Sequence, residues 1–203
     1  MQGATNFKGN LGAKVNRPPG PGLAWKVKNT MRPGFLVGWL GVKVAKAIST
    51  LTGIPTLTSE LRARLFRADG SVVDYGVVGY RVITTAFVNF VVDQLQTETS
   101  VFGDFKYHDS GVGTTAEAIG DADIETTDGE SRATGTQTEG GSANIYESVG
   151  TIAYTTTKAI TEHGLFNAST AGTLMDRTVF SAINVVNGDS IQFTYDLTVS
   201  SGG

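Results

Sequence analysis

The chain of 203 residues contains no cysteine and only two histidines. Without cysteine it can form neither disulfides nor thiolate metal sites. Its first nine residues lack the apolar core of a signal peptide. The longest apolar stretch, Phe35 to Ala47, contains Lys43 and Lys46 and is shorter than the roughly 20 apolar residues of a bilayer span. These absences predict a protein that is neither exported by a signal peptide nor inserted in a membrane.

Helix-forming residues are sparse, whereas threonine, valine and glycine are plentiful. Glycine occurs 26 times, well above the average usage of about 7%, which predicts many turns and extended loops. A hydrophobic share of 40% is enough for a core. The length suits one domain of sandwich size with an appendage, or two small domains.

Charge is distributed unevenly along the chain. Residues 1–67 carry a net charge of +10 and residues 68–203 a net charge of −13, which together give −3. This asymmetry is typical of an interaction segment. Nucleic acid is a possible partner of the basic part, but its charges are spread out, without a helix or aromatic platform to organise them. An acidic protein surface is the better match.

The last third of the chain has the clearest strand patterns. Residues 159–166 and 173–183 predict two strands joined by a polar turn at 167–172. Residues 191–199 alternate strictly, and this period of two predicts a strand whose sheet is packed on one side only. The residues of its apolar face are Ile191, Phe193, Tyr195, Leu197 and Val199.

Further elements follow from the middle of the chain. Residues 60–83 predict a hairpin around the Asp69-Gly70 turn. Residues 84–96 predict a helix capped by Thr84 or Thr85, with an apolar stripe. We expect strands at 101–110 and 143–157, and between them, at 111–142, an acidic Gly/Thr-rich region that is an exposed, mobile insertion or a long edge region. The predicted helix stripe consists of Phe87, Phe90, Val91 and Leu95.

Residues 1–58 predict an extended arm. The run Arg17-Pro-Pro-Gly-Pro-Gly22 holds three of the five prolines and excludes a helix or central strand there. Residues 35–58 fit no single period, and the glycines among them weaken a membrane-surface helix. Both tryptophans lie in this arm beside lysine and arginine, a composition typical of a docking surface. The alternative is that these aromatic side chains cover the edge of their own domain.

Several short patterns resemble catalytic or metal sites. His108-Asp109-Ser110 has the residue types of a hydrolase triad, but neighbouring residues of a strand point to opposite faces and cannot converge. Residues 111–116 resemble a dinucleotide-binding loop, but no strand–turn–helix context surrounds them. Asp121, Asp123 and Glu125 would share one side of a strand, where they form either a calcium site or a solvated acidic edge. His108 and His163 could face one zinc ion, although a structural role is more common.

The run Ala159-Ile-Thr-Glu-His-Gly-Leu-Phe166, followed by Gly172-Thr-Leu174, resembles virion proteins of tailed bacteriophages. Fibre, collar and adaptor proteins of these phages have a similar Ile-Thr-Glu-x-Gly-Leu-Phe run, with an aliphatic residue where this chain has His163. The stretch from Phe180 to Tyr195 also looks like the closing part of their β-domains. The resemblance covers roughly residues 80–199 and implies a phage particle protein without indicating its place in the particle.

Together these observations predict a mainly β protein: an antiparallel β-sandwich, Greek-key or jelly-roll like, at 59–203, with one short helix and an extended basic N-terminal arm at 1–58. We expect a non-enzymatic capsid cement or decoration protein of the virion, assembled in the host cytoplasm, whose arm clamps neighbouring capsid subunits. Its partners would be the major capsid protein and copies of itself, with no membrane, nucleic acid, small-molecule substrate, cofactor or metal. The expected partner-binding residues are Arg17, Trp25, Lys26, Lys28, Arg32, Phe35 and Trp39.

Two alternatives remain. A tail fibre, baseplate or neck adaptor would use the arm as an anchor and the β-domain for trimerisation or receptor contact. An enzyme such as a glycan depolymerase would need a pair of carboxylates in a cleft.

Overall fold

The computed structural model describes residues 21–80, 82–96 and 105–200. Two antiparallel five-stranded sheets pack face to face in this part of the chain, so the predicted mainly β sandwich is confirmed. In chain order the elements are α1 (Leu23–Thr30), α2 (Pro33–Thr52), β1 (Thr56–Phe66), β2 (Val72–Tyr80), β3 (Val82–Ile83), α3 (Thr85–Gln96), β4 (Tyr107–Gly111), β5 (Ala133–Thr134), β6 (Thr136–Glu139), β7 (Ile145–Ala153), β8 (Lys158–Phe166), β9 (Leu174–Val185) and β10 (Ser190–Ser200).

The first sheet has the order β2-β1-β10-β7-β6, and the second has the order β3-β9-β8-β4-β5. At the centre of the first sheet, β1 and β10 pair along their whole lengths, from Thr56 opposite Ser200 to Phe66 opposite Ser190. The predicted alternation of β10 is confirmed for four of its five apolar residues, while Val199 is 46% exposed. The four buried residues are Ile191, Phe193, Tyr195 and Leu197.

The hairpin predicted from Asp69-Gly70 is confirmed. Gly70 has a φ of +81°, and the Asp69 carboxylate accepts a hydrogen bond of 2.8 Å from the Ser71 amide. The hairpin joins β1 and β2, whereas β3, which follows β2 directly, pairs with β9 in the other sheet. The chain therefore crosses between the sheets immediately after the hairpin.

Helix α3 occupies the predicted residues. The Thr84 hydroxyl accepts the Phe87 amide at 3.1 Å, which satisfies a donor at the helix N-terminus as predicted. Phe87 is buried, and its ring and that of Phe90 both meet Phe105 edge to face. Leu95 does not belong to this packed stripe, since it is 79% exposed.

The structure of the N-terminal segment differs from the prediction, in which residues 1–58 formed an extended arm and the only helix of the chain lay at 84–96. Residues 1–20 lie outside the described residues, but residues 23–52 form helices α1 and α2 instead of extended backbone. Pro33 occupies the first turn of α2, where a backbone N–H would have no partner within the helix, so the proline removes no hydrogen bond. Gly53 ends the helix with a φ of +70°. These two residues mark the ends of α2 correctly, even though the glycines inside the helix lower its intrinsic propensity.

The acidic region 111–142 was predicted as exposed and mobile, or as a long edge region. It contains one edge strand of each sheet, β5 and β6, which agrees with the predicted long edge region. Its first part, however, is held against the second sheet by the buried residues Glu162 and Arg177. Consequently β8 is buried on both faces from Ile160 to Phe166, while most residues of the covering segment 112–130 are exposed, as predicted.

Candidate docking surface

Helix α1 covers an edge of the sandwich. In the described part of the chain, β3 pairs with β9 only at Asp176 and Arg177. Further along β9, the Trp25 indole donates to the carbonyls of Ser181 and Ala182, at 3.3 and 3.1 Å. These contacts satisfy strand-edge groups that would otherwise be open to strand addition.

Asn29 links α1 to both sheets and is only 1% exposed. Its amide nitrogen donates to the Val78 carbonyl of β2 at 2.9 Å, and its amide oxygen accepts from the Ser181 nitrogen of β9 at 3.0 Å. Because both bonds are buried and reach different sheets, Asn29 fixes the position of α1. No sequence pattern predicts this role of Asn29, because a lone asparagine in a helix gives no periodic signal.

Two of the predicted partner-binding aromatic residues pack against their own domain. Trp25 meets the ring of Tyr75 edge to face, with centroids 4.6 Å apart. Phe35 meets Tyr80 in the same way at 5.4 Å. For these residues the structure agrees with the alternative in which the arm covers the edge of its own sandwich. Trp39, by contrast, is 43% exposed.

Apart from Phe35, the inner face of α2 consists of small and medium-sized residues and lies on β1 and β2. A side chain at Gly38 would place its Cβ 2.6 Å from the Tyr80 carbonyl oxygen, so only glycine permits this approach. Ser49, three turns further along, is 4% exposed. Val42 and Ala45 lie between them on the same face and are half-buried. The small side chains bring the helix close to the sheet and turn its large side chains outward.

The opposite face, which we call the outer stripe, is apolar and exposed. Its large side chains are between 44% and 85% exposed, and it includes no ionisable residue. A continuous apolar strip of this kind is rare on a monomer and is typical of contact surfaces. The outer stripe consists of Leu36, Val37, Leu40, Val44, Ala47, Ile48 and Leu51.

Beside the outer stripe, α2 has a basic flank formed by Trp39, Lys43 and Lys46. The Lys43 ammonium lies 5.0 Å from the centre of the Trp39 ring, within cation–π distance. Lys26 and Lys28 of α1 are also exposed, and no acidic residue occurs from 21 to 59. Of the other predicted cations, Arg32 is half-buried and Arg17 lies outside the described residues. The helical hairpin therefore combines exposed apolar side chains with positive charge alone.

By length and composition, the helical stretch Phe35–Thr52 could cross a membrane, with a mean hydropathy of 1.3 over 18 residues. Helix α2 is longer than the apolar stretch from Phe35 to Ala47, so the prediction that this part of the chain is too short to span a bilayer is wrong. In the structure, however, α2 packs on β1 and β2, and a spanning helix would have to separate Gly38 from Tyr80.

The two histidines form a buried pair inside the sandwich. His108 Nδ1 lies 3.0 Å from His163 Nε2, and His108 Nε2 lies 2.9 Å from the Ser148 hydroxyl. Burial lowers the pKa of His108 to about 3, so the ring is neutral near pH 7. Gly135 and Gly150 lie directly against the ring, where a Cβ would come within 2.7 and 2.4 Å of it. This direct hydrogen bond indicates a structural pair.

As predicted, the neighbours of His108 do not converge with it. The Asp109 carboxylate accepts from Arg132 Nε at 2.9 Å, while the Ser110 hydroxyl contacts Asp128 and Tyr154. The three side chains therefore have separate partners, and the triad arrangement is absent at this position.

The acidic residues considered for calcium are engaged by arginine. Asp121 and Glu125 contact Arg177 at 2.9 and 3.4 Å, and Asp123 lies 3.5 Å from Arg132. Within the described ranges, no group of three or more His, Asp or Glu side chains is placed to hold a metal ion.

Glu162 is the centre of this network and is fully buried. Its carboxylate accepts the amides of Gly113, Glu125 and Thr126 at 2.8–2.9 Å, together with Arg177 Nε at 2.8 Å. Burial alone would lower the pKa of Arg177, but the hydrogen bonds and charges of Asp121 and Glu162 raise it. The network therefore fastens the acidic region to the sheet.

A polar cleft of 470 Å³ contains Asp109 and Glu130. Burial raises the pKa of Asp109 even though Arg132 opposes the shift. Hydrogen bonds from Lys158 and Thr155 lower the pKa of Glu130 to about 2. Each carboxylate is held by a cation, Arg132 at 2.9 Å and Lys158 at 2.6 Å, which makes the pair a poor general acid and base.

Comparison with known proteins found no matching family model, no matching curated protein and no matching solved structure.

Proposed function

We propose that the chain is a non-enzymatic structural protein of a tailed-phage particle, a capsid cement or decoration protein that binds the major capsid protein. The observation that carries the proposal is the exposed cationic surface of α1 and α2, formed by Trp39 and the lysines, on an otherwise acidic chain. The inference that the particle is that of a tailed phage comes from the resemblance of residues 159–174 to phage virion proteins. In this proposal Trp39 and the lysines of the basic flank meet an acidic site on the shell.

The helical form of this segment changes how the contact would work. Trp25 and Asn29 already hold α1 against the sandwich, and Gly38 holds α2 there. The docking surface is thus preorganised, and binding does not have to order a long flexible arm. Trp39 is the aromatic anchor, and the lysines guide association with acidic subunits. Repetition around a symmetric shell would add avidity.

The test is assembly of particles with chains in which Lys43 and Lys46 are both changed to glutamate. We expect occupancy of the particles to fall about tenfold or more, because two attractive contacts become repulsive. Arg64→Glu is the matched control, since Arg64 is an exposed cation on β1, outside the helices. Unchanged occupancy of the double variant would contradict the proposal.

Counting copies in purified particles decides the location. Hundreds of copies per particle support a shell protein, whereas a dozen or fewer would favour a tail fibre, baseplate or neck adaptor. Raising the salt concentration should release the wild-type protein, because contacts between exposed charges are screened.

A further inference from the structure

The outer stripe of α2 has the spacing of a helix–helix seam. Val37, Leu40, Val44, Ala47 and Leu51 follow one another at alternating intervals of three and four residues. This heptad spacing keeps one seam facing a partner helix, with valine at two a positions and leucine at a d position. All five residues are exposed, so in the described structure the seam has no helix opposite it.

The parts of the chain outside the described ranges contain few large apolar residues that could cover this seam. Residues 1–20 include only Met1, Phe7, Leu11 and Val15, and residues 97–104 include only Val101 and Phe102. A lipid surface would accept the same apolar face, because intervals of three and four residues place side chains on one side of any helix. The sandwich that carries α2 has a net charge of −13 over residues 68–203, which opposes binding to an anionic bilayer. A second helix that interdigitates with the seam is therefore the better match.

We propose that the outer stripe of α2 packs against the same stripe of a second copy of this chain. The stripe contains no ionisable residue, so symmetric packing buries no pair of like charges. Lys43 and Lys46 lie to one side and stay in solvent. The central residue, Val44, then meets its equivalent in the second copy whether the two helices run parallel or antiparallel.

The available area is consistent with a reversible dimer. A helix of 20 residues is about 30 Å long and about 10 Å wide, so half of its lateral surface is roughly 500 Å². A standard interface buries about 800 Å² on each partner. Two such faces would bury roughly 1,000 Å² in total, at the low end for specific interfaces, which fits a weak and reversible dimer.

Because the natural chain has no cysteine, single cysteines test this contact directly. We expect Val44→Cys to form a disulfide-linked dimer under oxidised glutathione, and Lys46→Cys on the basic flank to do so at least about fivefold more slowly. Equal rates for the two variants would overturn the proposal. Both positions are exposed on one helix, so the comparison is matched for accessibility and local structure.

Sedimentation equilibrium provides the second measurement. At about 50 μM the wild type should be dimeric and Leu40→Glu monomeric. The control Leu95→Glu, at an exposed leucine of α3, should remain dimeric. Thermal unfolding of all three checks that the sandwich is intact. A monomeric wild type, or a wild type that binds anionic phospholipid vesicles without self-associating, would overturn the proposal.

The self-association goes beyond the proposed function and is tested separately from it. Loss of the dimer in Leu40→Glu is read on the purified protein. Attachment to the particle is read with the Lys43 and Lys46 variant. Each idea can therefore fail without the other.

Discussion

Acidification will destabilise the fold through His108. The ring is fully buried, and burial lowers its pKa to about 3, whereas a histidine in an unfolded chain has a pKa near 6.5. Between these values the unfolded chain takes up a proton that the folded chain does not accept. Stability due to the neutral ring is therefore complete above about pH 6.5 and is lost progressively as the pH falls toward 3.

The size of this loss follows from the shift in pKa. It amounts to about 2 kcal/mol at pH 5 and about 5 kcal/mol once the pH is below the pKa of folded His108. Typical domains are stable by about 5–15 kcal/mol, so a loss of this size is readily measured.

Urea unfolding at pH 8, 7, 6 and 5 measures the effect, with His108→Gln as the variant that cannot titrate. Glutamine is expected to lower stability at pH 8, because it cannot reproduce both hydrogen bonds of the ring. This deficit should shrink by up to about 1.4 kcal/mol per pH unit below pH 6.5. Carboxylates that titrate in both proteins cancel in the comparison.

Parallel curves of unfolding free energy against pH for the two proteins would refute the reasoning. They would mean that His108 binds a proton equally well in the folded and unfolded chains, and that its burial does not keep it neutral.

Two further predictions concern packing and buried charge. Gly150→Ala should lower the free energy of unfolding by about 1–3 kcal/mol, because the added Cβ would lie 2.4 Å from His108 Cδ2. The control Gly141→Ala, whose Cβ would have no atom within 4 Å, should change the melting temperature little. Arg177→Met should cost about 3–5 kcal/mol in urea unfolding, since it leaves Glu162 buried without its arginine. Adding Glu162→Gln to that variant should recover part of the loss, and strictly additive effects would contradict this account.

Local patterns predicted much of the sandwich. The alternation in β10 needs only the two-residue period of a strand, and Asp69-Gly70 needs only the local preference for a tight turn. The Thr84 cap likewise depends on residues three positions apart. Such features can be read without knowledge of the fold, because the interacting atoms are close in sequence.

Helices α1 and α2 of the N-terminal segment were not predicted from local patterns. Gly38 and Gly41 lower the intrinsic helix propensity of α2. Glycine is required at position 38 because the backbone of Tyr80, 42 residues further along the chain, leaves no room for a side chain there. Pro33 and Gly53 were nevertheless available as signals for the two ends of the helix, and the intervals of three and four residues were available for its outer stripe.

The candidate docking surface was predicted in part. Placement of aromatic and basic residues in the first 58 positions identified the segment, and Trp39, Lys26 and Lys28 are exposed there. The roles of Trp25 and Phe35 depended on strands β9 and β2, which are distant in sequence. Composition indicated a contact surface but not which side of each helix faces solvent.

By itself, the sequence determined the strand-rich character of the chain, its main turn and the basic charge of its leading segment, because these depend on residue type and short-range spacing. Only the tertiary structure decided that Trp25 and Asn29 close the edge of the sandwich and that the large side chains of α2 point outward. It also decided that Glu162 is surrounded by the amides of the acidic region. These outcomes depend on which distant backbone groups need hydrogen bonds and which surfaces have room for a side chain, and neither is encoded in local spacing.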